Sequence, residues 1–516
     1  MTIDARSLAL AVEQRLSAWD REGVGERIWA HDPTVWADPD TPEITNRLGW
    51  LRLPATMPDR ADRWRGFADE ADVDEVVLLG MGGSSLAPEV FAEVIGGAPG
   101  RPGLSVLDTT HPDAIAMVTD RLDPERTLFV VSSKSGGTLE TLSLFRHFWA
   151  WRSATTDAPG TSFVAITDPG SGLGQLAEER GFRAVFTADP EVGGRYSALT
   201  DFGLVPAALI GIDPADLLAP AASMASVCGA SVPVLENPAL WLGAMLGEAA
   251  LGGRDKCTIV TTPGLAAFPA WLEQLIAEST GKHGRGIVPV ADEPLLPPDG
   301  YGDDRVFLVY HLDDEPSPAG VDELEAAGHP VIRITVDGVH GLGAEMFRAE
   351  LATAAAGAVL DINPFDQPDV EAAKQQARSL MSGDAPTPEP PPPLADDALD
   401  EVVAAVDPGD YVSIQAYAAP NGALDVRLAG LAATLRSRTG GTAVTIGYGP
   451  RFLHSTGQLH KGGGDGCVAL QLVGAPTTDL PIPETDLSFG RVIAAQAAGD
   501  AAVLGDRGRT VVRRSM

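Results

Sequence analysis

The chain has 516 residues, of which 44% are hydrophobic and 21% charged, and a formal net charge of −34. That length holds two or three domains and more than one core. The acidic balance argues against nucleic acid or anionic lipid as a partner, and any anionic ligand needs a locally built site. Cys228, Cys257 and Cys467 are odd in number, far apart and in no CxxC, which suggests reduced thiols and neither a disulfide framework nor a zinc ribbon. Residues 1–30 carry Asp4, Glu13, Asp20, Glu22 and Glu26 and lack the basic start and apolar core of a signal peptide. No run of about 18 apolar residues is free of charge, so no membrane span is expected. The expectation is a cytoplasmic protein.

In chain order, residues 5–30 set Leu8, Leu10, Val12, Leu16, Trp19 and Ile28 at roughly helical spacing, which predicts an amphipathic helix lying on a larger body. Trp36, Trp50 and Trp64 follow in a Pro-containing connection and read as packing anchors. Strands are predicted at 76–79, 104–107, 129–131, 163–167 and near 184–186, with helices between them. That alternation implies a three-layer α/β unit with a mainly parallel sheet, which binds ligands at the carboxyl ends of its strands. A second unit carries helices at 238–251, 265–279 and 342–360, and strands at 257–261, 287–290, 306–310 and 331–336. Asn363-Pro364-Phe365-Asp366-Gln367-Pro368 then introduces a helix reaching about Leu380. Pro386, Pro388 and Pro390 to Pro393 mark an extended, solvated linker. A third, smaller α/β piece follows, with strands at 411–416, 442–446 and 468–473 and helices at 424–438 and 489–504. The expected division is 1–215, 216–383, a linker at 384–397, and 398–516.

Two stretches carry the chemistry. Phe129-Val130-Val131-Ser132-Ser133-Lys134-Ser135-Gly136-Gly137-Thr138-Leu139-Glu140-Thr141 reads as a buried strand, a tight polar loop and a helix start. Free N–H groups of a first helical turn, with hydroxyls and a lysine, make a phosphate cradle. Gly80-Met81-Gly82-Gly83-Ser84-Ser85 repeats the theme after the first strand. Neither loop is a GxGxxG dinucleotide fingerprint or a GxxxxGK[ST] loop, so a sugar phosphate is a more natural ligand than a nucleotide.

Other residues have a plain reading beside a chemical one. Glu278, before Ser279-Thr280-Gly281-Lys282, reads by itself as a solvated helix-end carboxylate. Arg195, after Gly193 and Gly194, reads as a salt-bridge partner, although the glycines let the backbone approach a ligand. Lys374 reads as a surface lysine. His454 and His460, in Leu453-His454-Ser455-Thr456-Gly457-Gln458-Leu459-His460-Lys461-Gly462-Gly463, are a weak metal signal and better acid/base candidates.

Taken together, GMGGSS (80–85), SSKSGGTLET (132–141), VGGRYS (192–197), QLIAESTGK (274–282) and NPFDQPDVEAAK (363–374) resemble the glucose-6-phosphate isomerase family. The resemblance spans roughly residues 70–380. The N-terminal helix and the part after the linker look most like the isomerase half of transaldolase–isomerase fusions. It implies two sugar-isomerase-type αβα domains, the first preceded by the N-terminal helix, plus a smaller C-terminal α/β segment. The implied reaction is reversible conversion of glucose 6-phosphate to fructose 6-phosphate through an enediolate, in glycolysis and gluconeogenesis, with no cofactor, no metal and a homodimeric enzyme.

By the same resemblance, Ser84, Ser133, Lys134, Ser135 and Thr138 bind the phosphate. Glu140 helps to position sugar hydroxyls and the catalytic histidine, and Gly194 lies beside the substrate. Glu278 moves the proton between C1 and C2, and Arg195 stabilises the enediolate. Gln274 and Gln367 make flanking contacts, and Lys374 acts near the ring oxygen and phosphate. The pattern departs at one point. The family's ring-opening histidine lies between the glutamate and the lysine, in a Thr-Asn-Gly-Gln-His segment lent by the other subunit. Here that interval offers His283, His311, His329 and His340, none in such a setting. The similar words follow Lys374, which ranks His460 first and His454 second and leaves the donor chain open. A mannose-6-phosphate side activity and a non-catalytic sugar-phosphate sensor are the alternatives. The joint presence of Glu278, Arg195 and Lys374 argues against the sensor.

Overall fold

A computed structural model describes residues 2–369, 376, 378–381 and 389–516. Thirteen strands among them form three sheets, all parallel. The first contains β1 (Glu75–Leu79), β2 (Gly103–Leu107), β3 (Thr127–Ser132), β4 (Phe163–Thr167) and β5 (Ala184–Thr187), in the order 2-1-3-4-5. The second contains β6 (Lys256–Thr261), β7 (Val288–Val290), β8 (Arg305–Leu312) and β9 (Val331–Val336), in the order 7-6-8-9. The third contains β10 (Tyr411–Tyr417), β11 (Ala443–Tyr448), β12 (Cys467–Val473) and β13 (Thr510–Ser515), in the order 11-10-12-13. Their residues explain the parallel pairing. Val76 to Leu79 and Leu128 to Val131 are almost wholly buried apolar runs, as expected of strands covered by helices on both faces. In the first sheet the order reverses between β1 and β3, paired from Glu75↔Thr127 to Leu79↔Val131. A crevice opens at the carboxyl ends of strands at such a switch point. Both hydroxyl-rich loops leave from there.

The N-terminal helix Ala5–Glu22 buries Leu8, Val12, Leu16 and Trp19, one stripe at helical spacing. The Asp4 side chain caps it by accepting from the Ser7 N–H at 2.8 Å. Grouped by sequence with the first unit, it packs on helix Pro238–Leu251 of the second, where Arg15 meets Glu248 at 2.6 Å. Trp36, Trp50 and Trp64 are buried. The Trp36 indole donates to the Ala354 carbonyl at 2.7 Å, and that of Trp64 to Asp201 at 2.9 Å. The three cysteines are free and buried.

One apolar core runs through the N-terminal helix and the first two sheets. The third unit is anchored to both. Ile482, Phe489, Val492 and Ala495 join the core on the far face of the first sheet. Tyr411, Ala443, Leu459 and Cys467 pack with Ala277, Val288 and Val290 of the second unit. Residues 370–375, 377 and 382–388, which carry Lys374, part of the helix expected up to about Leu380 and the first five residues of the expected linker, lie outside the described residues. The linker's described end is largely exposed, with Pro390, Pro392, Pro393 and Ala395 open to solvent, and it also pairs with the last strand. Pro393 bridges to Ser515, and Leu394 N–H donates to the Ser515 carbonyl at 2.9 Å, which extends the β13 edge. Among the described residues no helix is long and apolar enough to cross a membrane.

Candidate active site

The loop after β1 is shaped by what its glycines touch. Gly82 has φ +54°, and a Cβ there would lie 2.5 Å from the His454 carbonyl oxygen and 2.7 Å from Gln274 Nε2. A Cβ on Gly83 would lie 2.0 Å from the Gly194 carbonyl oxygen. The loop therefore packs backbone to backbone against the Arg195 turn and the third unit, with Ser84 buried between them.

The loop after β3 leads into helix Leu139–Ser153. Thr138 holds the N-cap position but makes no capping bond; its hydroxyl lies 2.9 Å from that of Ser133. The first N–H groups of the helix and this hydroxyl pair are oriented for an anion. Ser135 is exposed at the loop's tip. Lys134 pairs with Asp168 after β4 and also donates to the Pro190 carbonyl at 3.2 Å. Burial raises the Asp168 carboxyl above the usual range, against the pull of Lys134.

Glu278 lies in the last turn of helix Phe268–Thr280 and is not solvated. Its side chain keeps 7% of its surface. Oε1 is 2.9 Å from Arg195 Nη1, and Oε2 accepts from Gln274 Nε2, one turn earlier, at 3.1 Å. Arg195 has no slack. Nε donates to Ser279 Oγ at 2.9 Å, and Nη2 donates to the carbonyls of Pro364 (2.8 Å) and Asp366 (2.7 Å). The result is a desolvated carboxylate–guanidinium pair in a rigid frame. Lys282, sealed from solvent, grips the same 363–366 turn through the Asn363 carbonyl at 2.6 Å and Asp366 Oδ1 at 2.7 Å. Burial first, and the Arg195 charge next, lower its pKa to about 7. Gln367 is exposed on that turn, and the Gly194 carbonyl accepts from Ser197 Oγ at 2.6 Å.

The third unit closes the site. His454 Nε2 is 3.0 Å from Glu140 Oε1, and the His454 carbonyl accepts from Gln274 Nε2 at 2.8 Å. Gln274 therefore ties the histidine to Glu278. Arg451, on the same turn, pairs with Glu89 and Asp108 of the first unit. His460, ranked first from sequence, is placed elsewhere. Its ring lies inside the third unit, with Nδ1 2.9 Å from Tyr411 Oη and Nε2 3.2 Å from Ser413 Oγ. Burial lowers its pKa to about 3, so it stays neutral at ordinary pH. His460 spends both ring nitrogens inside the third unit, while His454, ranked second from sequence, meets a carboxylate at the candidate site.

Sequence reasoning missed Gln496, on helix Phe489–Asp506, which donates to Glu140 Oε1 at 2.7 Å. It also missed Gln458 as a clasp. Gln458 Nε2 donates to the Gly281 carbonyl (2.9 Å) and Asp369 Oδ2 (2.8 Å), and its Oε1 accepts from the Asp369 N–H at 3.0 Å. Gln496 had no motif to announce it, and Gln458 stood in the quoted His454–His460 segment only as a neighbour of the histidines.

A parallel α/β fold, a hydroxyl-lined helix N-terminus at a switch point and a buried carboxylate–guanidinium pair define the phosphosugar-isomerase class. The phosphoglucose isomerase family model matches residues 54–287. A glucose-6-phosphate isomerase of Rubrobacter xylanophilus is 30% identical over 438 residues, which cover 74% of this chain and 98% of that protein. One from Synechococcus sp. (strain JA-3-3Ab) is 33% identical over 400 residues, covering 64% and 74%. A glucose-6-phosphate isomerase structure from Chlamydia trachomatis shares the fold, with a TM-score of 0.57 and 21% identity over 73% of this chain and 86% of that one. The chain belongs to the glucose-6-phosphate isomerase family.

Proposed function

We propose that this chain interconverts glucose 6-phosphate and fructose 6-phosphate, a step of glycolysis and gluconeogenesis, with Glu278 as the base. The observation that carries the proposal is the buried Glu278–Arg195 pair, bridged by Gln274 to His454. The phosphate sits on the helix N-terminus with Ser84, Ser133, Ser135 and Thr138, and Lys134 exchanges Asp168 for it. Glu140 accepts only, so His454 presents Nε2–H to it, leaving Nδ1 to exchange a proton with the sugar. His454 removes the C1 hydroxyl proton of the ring form, and the ring oxygen gains one with the help of Lys374. Glu278 then takes the C2 proton, the O2 hydroxyl proton passes to O1 at the enediolate stage, and Glu278 returns its proton to C1. Negative charge that develops on O1 and O2 falls beside Arg195, where a fixed cation in a dry site counts most. Gly194 lets the chain come close to the substrate, and Gln274 and Gln367 flank it. This chemistry needs neither cofactor nor metal.

We place the enzyme in the cytoplasm as a homodimer. The His454–Glu140 pair belongs to one chain, so ring opening does not depend on the second copy. Residues 1–215, 216–383 and 398–516 act as three units that enclose the site. The test is conversion of fructose 6-phosphate by the purified chain in the presence of a chelator. Absence of turnover sinks the proposal.

A further inference from the structure

We propose that Gln496 is a positioning residue that fixes the Glu140 carboxylate for His454, which makes the C-terminal helix a working part of the active site. The inference deepens the isomerase reading and rests on it. Gln496 Nε2 lies 2.7 Å from Glu140 Oε1, and Thr110 Oγ1 lies 2.8 Å from Gln496 Oε1. Gln496 and Thr110 are both buried. The chemistry of the partners fixes the direction of each bond. An ionised carboxylate only accepts, so the amide must turn its NH2 toward Glu140. Its oxygen then faces Thr110, whose hydroxyl donates. The Glu140 oxygen that meets His454 is thus also gripped by a neutral donor whose own orientation is locked.

Two features separate this from ordinary core packing. The bonds cross units: Thr110 follows β2 and Glu140 opens helix Leu139–Ser153 in the first unit, whereas Gln496 comes from the third. Glu140 is therefore aligned when the third unit is docked. The grip is also uncharged. It holds the carboxylate in place while the proton on His454 comes and goes, and it adds no cation that would compete with the imidazolium. A carboxylate that swung with the imidazole would lose the alignment on which proton transfer depends.

The test compares full-length wild type, Gln496→Leu and Gln496→Glu for fructose 6-phosphate conversion between pH 5 and 9. Gln496→Leu is expected to lower kcat by about tenfold, the weight of a hydrogen bond to a charged group, with KM changed less than about twofold. Gln496→Glu keeps the shape but donates only when protonated. Its activity relative to wild type is expected to rise as the pH falls toward 5 and to sink toward that of Gln496→Leu near pH 8. Wild-type kcat and pH profile in both variants would overturn the inference. So would a loss in Gln496→Glu by one constant factor at every pH, the mark of a merely structural role. If Gln496→Leu does not fold, the profile of the near-isosteric Gln496→Glu still decides. A wild type without turnover refutes the isomerase reading itself; an active wild type with unaltered variant profiles refutes only the role of Gln496.

Discussion

His454 Nε2 lies 3.0 Å from Glu140 Oε1, although 314 positions separate the two residues. The contact joins the third unit to helix Leu139–Ser153 of the first and pairs an imidazole with an acceptor. His454→Gln is expected to lower kcat by about 10²–10⁴-fold, the usual contribution of a positioned acid/base, with the fold intact. His460→Gln should behave in the opposite way. It disturbs the bonds to the buried Tyr411 and Ser413, which costs about 1–3 kcal/mol of stability, while the chemistry at a given folded concentration survives. Steady-state kinetics and thermal melts of both variants separate the roles. A His460 variant that folds normally and loses turnover would reverse the assignment.

The close approach of Gly83 to Gly194 gives a second prediction. An alanine Cβ at 83 would lie 2.0 Å from a backbone oxygen, so the turn carrying Arg195 must move. Misplacement by about 1 Å at a reacting centre costs on the order of 10²-fold. Gly83→Ala should lose about that much kcat. Gly66→Ala, where a Cβ meets nothing within 4 Å, should be as active as wild type. Equal activity in the two variants would show that the loop is not held as described.

Stability should depend on pH through Glu273, one residue before Gln274. Burial, with Asp292 nearby, raises its pKa from 4.5 to about 8. Between those values the folded chain holds a proton that the unfolded chain has released. The stability linked to this group is therefore full below about pH 4.5 and is lost as pH rises through about 8. Gln at this position has no proton to lose. Glu273→Gln is expected to melt a few degrees above wild type at pH 8 and level with it near pH 4.5. A melting difference that does not grow with pH between these limits would contradict the assignment.

Much of this was legible from residue types because it depends on local chemistry. The runs at 76–79 and 129–131 are apolar throughout, and a glycine–hydroxyl loop follows each, so strand, turn and helix start are encoded within a few residues. β13 has no sequence signal because Thr510–Ser515 lies at a sheet edge and carries Arg513 and Arg514 in its second half, with too little apolar alternation to stand out. The choice between His454 and His460 was not local. Tyr411 and Ser413 are two apart on β10 and share a face, which draws in the His460 ring. Which strand packs over which loop is a tertiary fact. The same holds for Gln496, whose partners Thr110 and Glu140 lie in the first unit, and for Lys134, which needs β4 in place before it can reach Asp168.

The central claim is that Glu278 is the proton-transfer base of a sugar-phosphate isomerase. Conversion of fructose 6-phosphate to glucose 6-phosphate in deuterated water, followed by NMR for wild type and Glu278→Gln with a chelator present, tests it most directly. The account predicts turnover with deuterium entering at C2 for wild type. For Glu278→Gln it predicts neither turnover nor exchange, although fructose 6-phosphate still binds. Sustained turnover with exchange in Glu278→Gln would contradict it.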